Sequence, residues 1–137
     1  MNGMVSLAEQ VHKNGGLFIF VYIAEAHAMD EWPLMSQLAM PKGQTAIIEK
    51  QHTTTEERCL AAEKLRKTYD HHLEPMHLVV EPIDSVFSKL LNPWPTRFYI
   101  MDSSQSNEKL KLKWTSYFEH DASIDFQKFS DAVFSEF

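Results

Sequence analysis

The chain has 137 residues, a formal net charge of −6 and one cysteine, Cys59. That length suits a single domain over 1–137 able to bury a core without disulfides or a structural metal, and the acidic balance argues against sequence-independent nucleic-acid binding. Cys59 alone cannot make an intrachain disulfide, a CxxC pair or a cysteine zinc site, and the longest apolar run, Leu17 to Ala24, falls far short of the roughly 20 residues of a membrane span.

No charged-then-apolar signal opens the chain, so it reads as soluble; its cysteine usage suits a reducing compartment such as the cytoplasm without deciding the location. Met4, Leu7, Ala8 and Val11 recur at helical spacing and Gly15-Gly16 supplies a stop, which predicts a helix over 4–14. Leu17 to Ile23 is continuously apolar and reads as a strand covered on both faces. Residues 33–52 carry Pro33, Pro41 and Gly43 without periodicity and read as a long irregular excursion. Thr54-x-x-Glu57 is a capping box opening a helix over about 55–70, with Leu60, Ala61, Leu65 and Tyr69 as its inner stripe. Met76 to Val80 is a second buried strand. Residues 82–96 hold three prolines, with a short helical turn at Val86, Phe87, Leu90 and Leu91.

Arg97 to Met101 is a third strand, and residues 102–108 join it as a hairpin to Lys109-Leu-Lys-Leu-Lys-Trp114. There the lysines alternate with Leu110, Leu112 and Trp114, as in a half-exposed strand guarded by charge. Phe126, Phe129, Val133 and Phe137 mark a final amphipathic helix, with Asp125 near its positive end. The order α-β-α-β-β-β-α predicts an α/β fold with a mixed sheet and helices on both faces.

The chemistry concentrates where the first strand surfaces. Glu25 and His27, two apart on an extended segment, point to one side and can form an acid–base couple. Asp30-x-Trp32 follows. Surface pairs of this kind are also common without function. Other groups have plain readings: Cys59 as a half-buried helical thiol, and Trp32, Trp94 and Trp114 as core or rim packing. The adjacent histidines His71-His72 face different sides and, with His77, find no carboxylates at ligand spacing, so no metal site is predicted.

These words resemble the iodothyronine deiodinase family, which has a thioredoxin-like fold. The family's Tyr-Ile-x-Glu-Ala-His strand end and Asp-x-Trp element match Tyr22-Ile23-Ala24-Glu25-Ala26-His27 and Asp30-Glu31-Trp32. Its Gln-His pair before a helix opening on an acidic residue and Arg matches Gln51-His52 and Glu57-Arg58. Its Arg-aromatic-Tyr strand matches Arg97-Phe98-Tyr99-Ile100. The resemblance covers residues 4 to about 101 and fades beyond them.

Several expectations follow from that resemblance. The activity is reductive removal of iodine from iodothyronine-like aromatic substrates, as in thyroid hormone metabolism, with a thiol reductant and no cofactor bound in this chain. His27, tuned by Glu25, is the acid–base element; His52 contacts the substrate or helps the relay; Arg97 pairs with the substrate carboxylate. Arg58 ties a helix N-terminus to the long loop, and Pro95 matches the cis proline of thioredoxin-like folds.

The family's nucleophile is a selenocysteine after its first core strand, and Met4 aligns with a Met shortly after it. The chain therefore reads as a thioredoxin-like domain lacking that strand and the selenocysteine, inactive alone. Three explanations stay open. A selenocysteine codon has been taken for a stop, the chain is a remnant with a structural or binding role, or the likeness is superficial. An in-frame TGA upstream of the Met1 codon discriminates the first from the second, a non-catalytic interaction protein keeping the scaffold. A homodimer is compatible with the sequence. Family members can carry an N-terminal membrane anchor, and this chain has no membrane segment of its own.

Overall fold

A computed structural model describes residues 2–38, 48, 50–93, 97–103, 110–116 and 122–136. They form an α/β structure in two compact units, Met1–Asn92 and Pro93–Phe137, each treated separately below.

The first unit opens with α1, Asn2–Lys13. The predicted stripe is real: Leu7, Ala8 and Val11 are buried. The helix stops where two backbone turns close on it, Gly15 N donating to the His12 carbonyl and Gly16 N to the Val11 carbonyl, each at 2.9 Å. Gly15 has φ +80, a conformation costly for any side chain, and a Cβ on Gly16 would stand 2.8 Å from Val11 Cγ1.

Strand β1, Ile19–Tyr22, pairs in parallel with β2, His77–Val80, in the register Ile19↔His77 to Tyr22↔Val80. Phe18 and Tyr22 are buried while Leu17 and Ile19 are exposed. The expectation of cover on both faces therefore fails: side chains of one parity are packed, while of the other Leu17 and Ile19 are bare and Val21 is half-buried. Among the described residues three helices join the strands. Helix α2 is the short Met35–Leu38, inside the predicted irregular excursion, whose residues 39–47 and 49 lie outside the described residues. Helix α3, Thr55–Thr68, carries both halves of the capping box, with Thr54 accepting from Glu57 N and the Glu57 side chain accepting from the Thr54 backbone. Helix α4 is the single turn Asp70–Leu73.

The buried stripe of α3 differs from the predicted one. Leu60 is 66 % exposed, whereas Arg58 and Ala62 are buried. The helix is rotated because its first buried position belongs to a charge. The Arg58 guanidinium lies 3.6 Å from the Glu81 carboxylate, the two side chains being 3 % and 0 % exposed. Its Nη1 also donates to the Glu81 and Pro82 carbonyls at 3.0 Å each. Arg58 thus ties α3 to the end of β2 rather than to the long loop. Glu81 in turn accepts from Ser88 N at 2.6 Å and Ser88 Oγ at 2.7 Å. Ser88 is in the first turn of α5, Val86–Leu91. Ser85, before that helix, makes no side-chain cap, so the carboxylate takes over the capping role.

In the second unit β3, Tyr99–Asp102, pairs antiparallel with β4, Lys111–Thr115, and the hairpin turn at 104–109 lies outside the described residues. The register shifts between Ile100 and Met101, which pair with Trp114 and Leu112. Lys113 is then the extra residue of a bulge, which breaks the strict alternation read from the sequence. Leu110 and Leu112 remain exposed. Helix α6, Ala122–Phe134, supplies the core. Phe129 stacks on Phe98 at 4.8 Å and on Trp114 at 5.9 Å, and Phe126 meets Phe98 edge-on at 6.0 Å. The side chains of Asp125 and Phe137 lie outside the described residues, as do Trp94 and Pro95.

The described strands form two two-stranded sheets, β1–β2 and β3–β4, rather than the one mixed sheet expected. The element order follows the prediction, with the helical turn expected at Val86 to Leu91 formed as α5 and the short α2 and α4 added. No helix of the described residues is long and apolar enough to cross a membrane.

Candidate active site

The β1–β2 ladder has a physical end. Glu81 N donates to the Tyr22 carbonyl at 2.9 Å, and the next donor facing β1, Ile83 N, is taken by Thr55 Oγ1 at 3.1 Å. In a parallel ladder the Glu81 carbonyl would next accept from residue 24; Arg58 Nη1 takes it instead. Released from pairing, the chain after Tyr22 turns. Glu25 and His27 therefore sit beyond the strand, in a bend and turn, and the two-apart, same-side geometry expected of an extended segment is lost.

The turn gives each residue a different partner. Tyr22 OH donates a hydrogen bond to the Glu25 carboxylate, three residues along. Burial raises the Glu25 carboxyl above the ordinary glutamate range, since a half-buried carboxylate is poorly solvated in its charged form. His27 Nδ1 lies 3.0 Å from the Trp32 carbonyl. A carbonyl can only accept, so Nδ1 carries the proton and, in the neutral ring, Nε2 is left as the acceptor. The Trp32 ring stands edge-on to His27 at 6.4 Å and is 70 % exposed, neither core nor rim.

Residues 50–52 return to this place. Gln51 N donates to Asp30 Oδ1 at 2.9 Å, Met29 N donates to the Ile48 carbonyl at 3.0 Å, and the Gln51 carboxamide binds the backbone of Glu25. His52 is carried with it. Its ring lies 6.2 Å from that of Tyr22, tilted by 47°, and its Nδ1 is buried without a protein partner among the described residues. Burial, and next the Arg58 charge, lower the His52 pKa, with Glu57 opposing. At neutral pH the imidazole is neutral.

Four of the residues read from the sequence are distributed as follows. Glu25 and His52 come together around Tyr22, whose hydroxyl the sequence reading passed over. His27 belongs to the same turn but faces Trp32. Arg97 lies in the second unit, half-buried, with its Nε unpartnered among the described residues. Beside it burial raises the Tyr99 pKa, and the Arg97 charge opposes that rise. Gln51 was also missed as a site residue. The available signal was its position directly before His52. Cys59, expected half-buried, is exposed. No three His, Cys, Asp or Glu side chains of the described residues come together as metal ligands.

A hydroxyl–carboxylate pair, a neutral imidazole beside it and a second imidazole of defined tautomer make a proton-handling surface next to an exposed indole. The sequence model of the iodothyronine deiodinase family matches residues 4–117, a span that includes every one of these groups. The chain belongs to the iodothyronine deiodinase family. No curated protein and no solved structure gives a significant match. The deiodinase match also takes in Arg97 and the β3–β4 hairpin, and leaves out α6.

Proposed function

We propose that this deiodinase-family chain holds an iodothyronine-like substrate and moves protons for its reductive deiodination. The observation that carries the reading is the convergence of Tyr22, Glu25, Gln51 and His52 at the end of β1, within the span matched by the family. In such a reaction the ring carbon exchanges iodine for a proton. A selenolate takes the iodine, and a thiol reductant then releases it as iodide. His27 is the group we assign to proton delivery, its Nε2 set by the Nδ1 bond to Trp32. We assign Glu25, which accepts the Tyr22 hydroxyl proton in a hydrogen bond, to resupply, and His52 to the substrate's phenol. Arg97 is assigned to the substrate carboxylate, a charge-assisted contact worth about 1.5–3 kcal/mol.

The 137 residues include no selenocysteine, and Cys59 is an exposed residue of α3. The attacking atom of this mechanism is therefore not among these residues, and the chain by itself should bind without releasing iodide. We assign this chain the thioredoxin-like fold that its family resemblance implies, with the first core strand of that fold absent from the described strands. Two-stranded sheets are marginal by themselves, which supports that reading.

The test is titration of the chain with thyroxine, read by tryptophan quenching, with iodide measured in the presence of dithiothreitol. We expect saturable binding, weakened at least about tenfold by Arg97→Ala, and no iodide. Equal affinity for an iodine-free, carboxylate-free diphenyl ether overturns the substrate assignment. Iodide release overturns the claim that these residues lack the nucleophile. Binding of a protein ligand in place of any iodothyronine favours the second reading, an interaction protein on the same scaffold.

A further inference from the structure

We propose that Gln51 is the positioning residue of this site: its carboxamide clamps the peptide units of Glu25 and thereby sets both the Tyr22–Glu25 pair and His52 in one frame. The inference rests on the functional reading above for its purpose, and on geometry alone for its existence.

A glutamine side chain offers two N–H donors and two acceptor positions, and at Gln51 all four are used. Oε1 accepts from Glu25 N at 3.1 Å and from His52 N at 3.3 Å. Nε2 donates to the Glu25 carbonyl at 2.8 Å and to Glu31 Oε2 at 3.2 Å. The orientation of the amide is fixed by its neighbours. Reversed, it would set its NH2 against two backbone N–H groups and its oxygen against a carbonyl and a carboxylate. The Gln51 backbone N–H is fastened separately, to Asp30 Oδ1 at 2.9 Å.

The clamp does for Glu25 what a neighbouring strand would do. Past Tyr22 the ladder has ended, and an unpaired, half-buried peptide N–H and C=O are costly. A side-chain amide has the same donor and acceptor as a peptide group, so Gln51 satisfies both at once. No other residue type fits. A carboxylate at this position has no donor for the Glu25 carbonyl and stands against Glu31; asparagine is one methylene short; an apolar side chain satisfies nothing. Because His52 is the next residue and donates to the same Oε1, motion of the clamp moves the imidazole and the carboxyl together.

The test needs no turnover. In the wild-type chain, hydrogen exchange reports protection of the Glu25 N–H, and carbon-13 NMR of labelled glutamate reports the Glu25 carboxyl titration. Tyr22, Asp30, Glu31 and His52 are the ionisable neighbours whose titrations are followed alongside. Gln51→Leu should cost the Glu25 N–H about tenfold in protection. It should also bring the Glu25 titration down toward the ordinary glutamate range as water enters. Gln51→Glu covers the case in which the leucine variant does not fold. At neutral pH its carboxylate should reduce protection, and acidification should restore it as the introduced carboxyl gains a proton and with it a donor. Wild-type protection and titration in Gln51→Leu overturn the proposal; so does the absence of acid rescue in Gln51→Glu. An intact clamp signature in a chain that binds no iodothyronine refutes the functional reading and leaves the clamp standing.

Discussion

Arg58→Met should be among the most damaging single substitutions in the first unit. The guanidinium faces a carboxylate 3.6 Å away whose side chain is fully buried, and it satisfies two carbonyls at 3.0 Å. Methionine fills much of the same volume, so the loss is electrostatic rather than steric. It leaves Glu81 as an uncompensated buried charge, a change that costs about 3–5 kcal/mol. Unpaired carbonyls add to it, and one water entering the site subtracts. We therefore expect about 4 kcal/mol, a large share of the roughly 5–15 kcal/mol of a whole domain. With a slope of about 2 kcal/mol per molar urea, the midpoint drops by about 2 M. Far-UV circular dichroism follows α1 and α3 directly. Glu81→Gln strands the Arg58 charge in turn but should cost less, because the amide retains a carbonyl oxygen for Ser88 and the guanidinium keeps the Glu81 and Pro82 carbonyls. The double variant should be no worse than Arg58→Met alone, since removing both charges abolishes the penalty. A loss under about 1 kcal/mol for Arg58→Met, or strict additivity in the double variant, refutes the account.

Three further outcomes follow from local geometry. Thr54→Ala removes the acceptor for Glu57 N and should cost about 1 kcal/mol by urea melting. The two glycines after α1 should fail for different reasons. Gly15→Ala meets open space but keeps φ +80, costing about 1–2 kcal/mol of backbone strain. Gly16→Ala drives a methyl to 2.8 Å from Val11 Cγ1 and 3.2 Å from the Val11 carbonyl, costing about 1–3 kcal/mol by overpacking, and only its loss should be relieved by Val11→Ala. The last outcome concerns pH. The His52 pKa is lowered in the folded state from 6.5, so as pH falls below 6.5 the unfolded chain takes up the proton first. The stabilising contribution is complete above 6.5 and is lost as pH falls through the folded value. His52→Gln should flatten that part of the stability curve; an unchanged slope would remove His52 as its source.

What the sequence disclosed depended on how local the determinant was. The α3 capping box uses residues three apart, and Thr54 and Glu57 behave as read. The α1 stripe and its glycine stop are equally local. The α3 stripe was misread at Leu60 because its buried position is set by Glu81, 23 residues beyond Arg58. Nothing in a helical wheel announces that an arginine will be the inward residue. The β4 alternation was legible as a strand, but its face was not, because a bulge inserts one residue and undoes the period. At the candidate site the residue types were visible and their pairing was not.

That pairing follows from where the ladder stops. Had β1 run on to residue 27, Glu25 and His27 would have shared a face and formed the couple their spacing suggests. Arg58 occupies the next acceptor, the Glu81 carbonyl, and Thr55 Oγ1 takes the next donor, Ile83 N, so the chain turns after Tyr22. A half-buried carboxylate then needs a nearby donor, and Tyr22 OH supplies it. His27 is spent differently, its Nδ1 proton going to the Trp32 carbonyl. The carboxylate thus works through a phenol and the imidazole works alone. The two are coordinated by the Gln51 segment, which holds Glu25 through its side chain and Asp30 through its backbone. A variant that frees the Ile83 donor, Thr55→Val for instance, should therefore let the ladder run further and move Glu25 away from Tyr22, read by carbon-13 NMR as a changed Glu25 carboxyl titration.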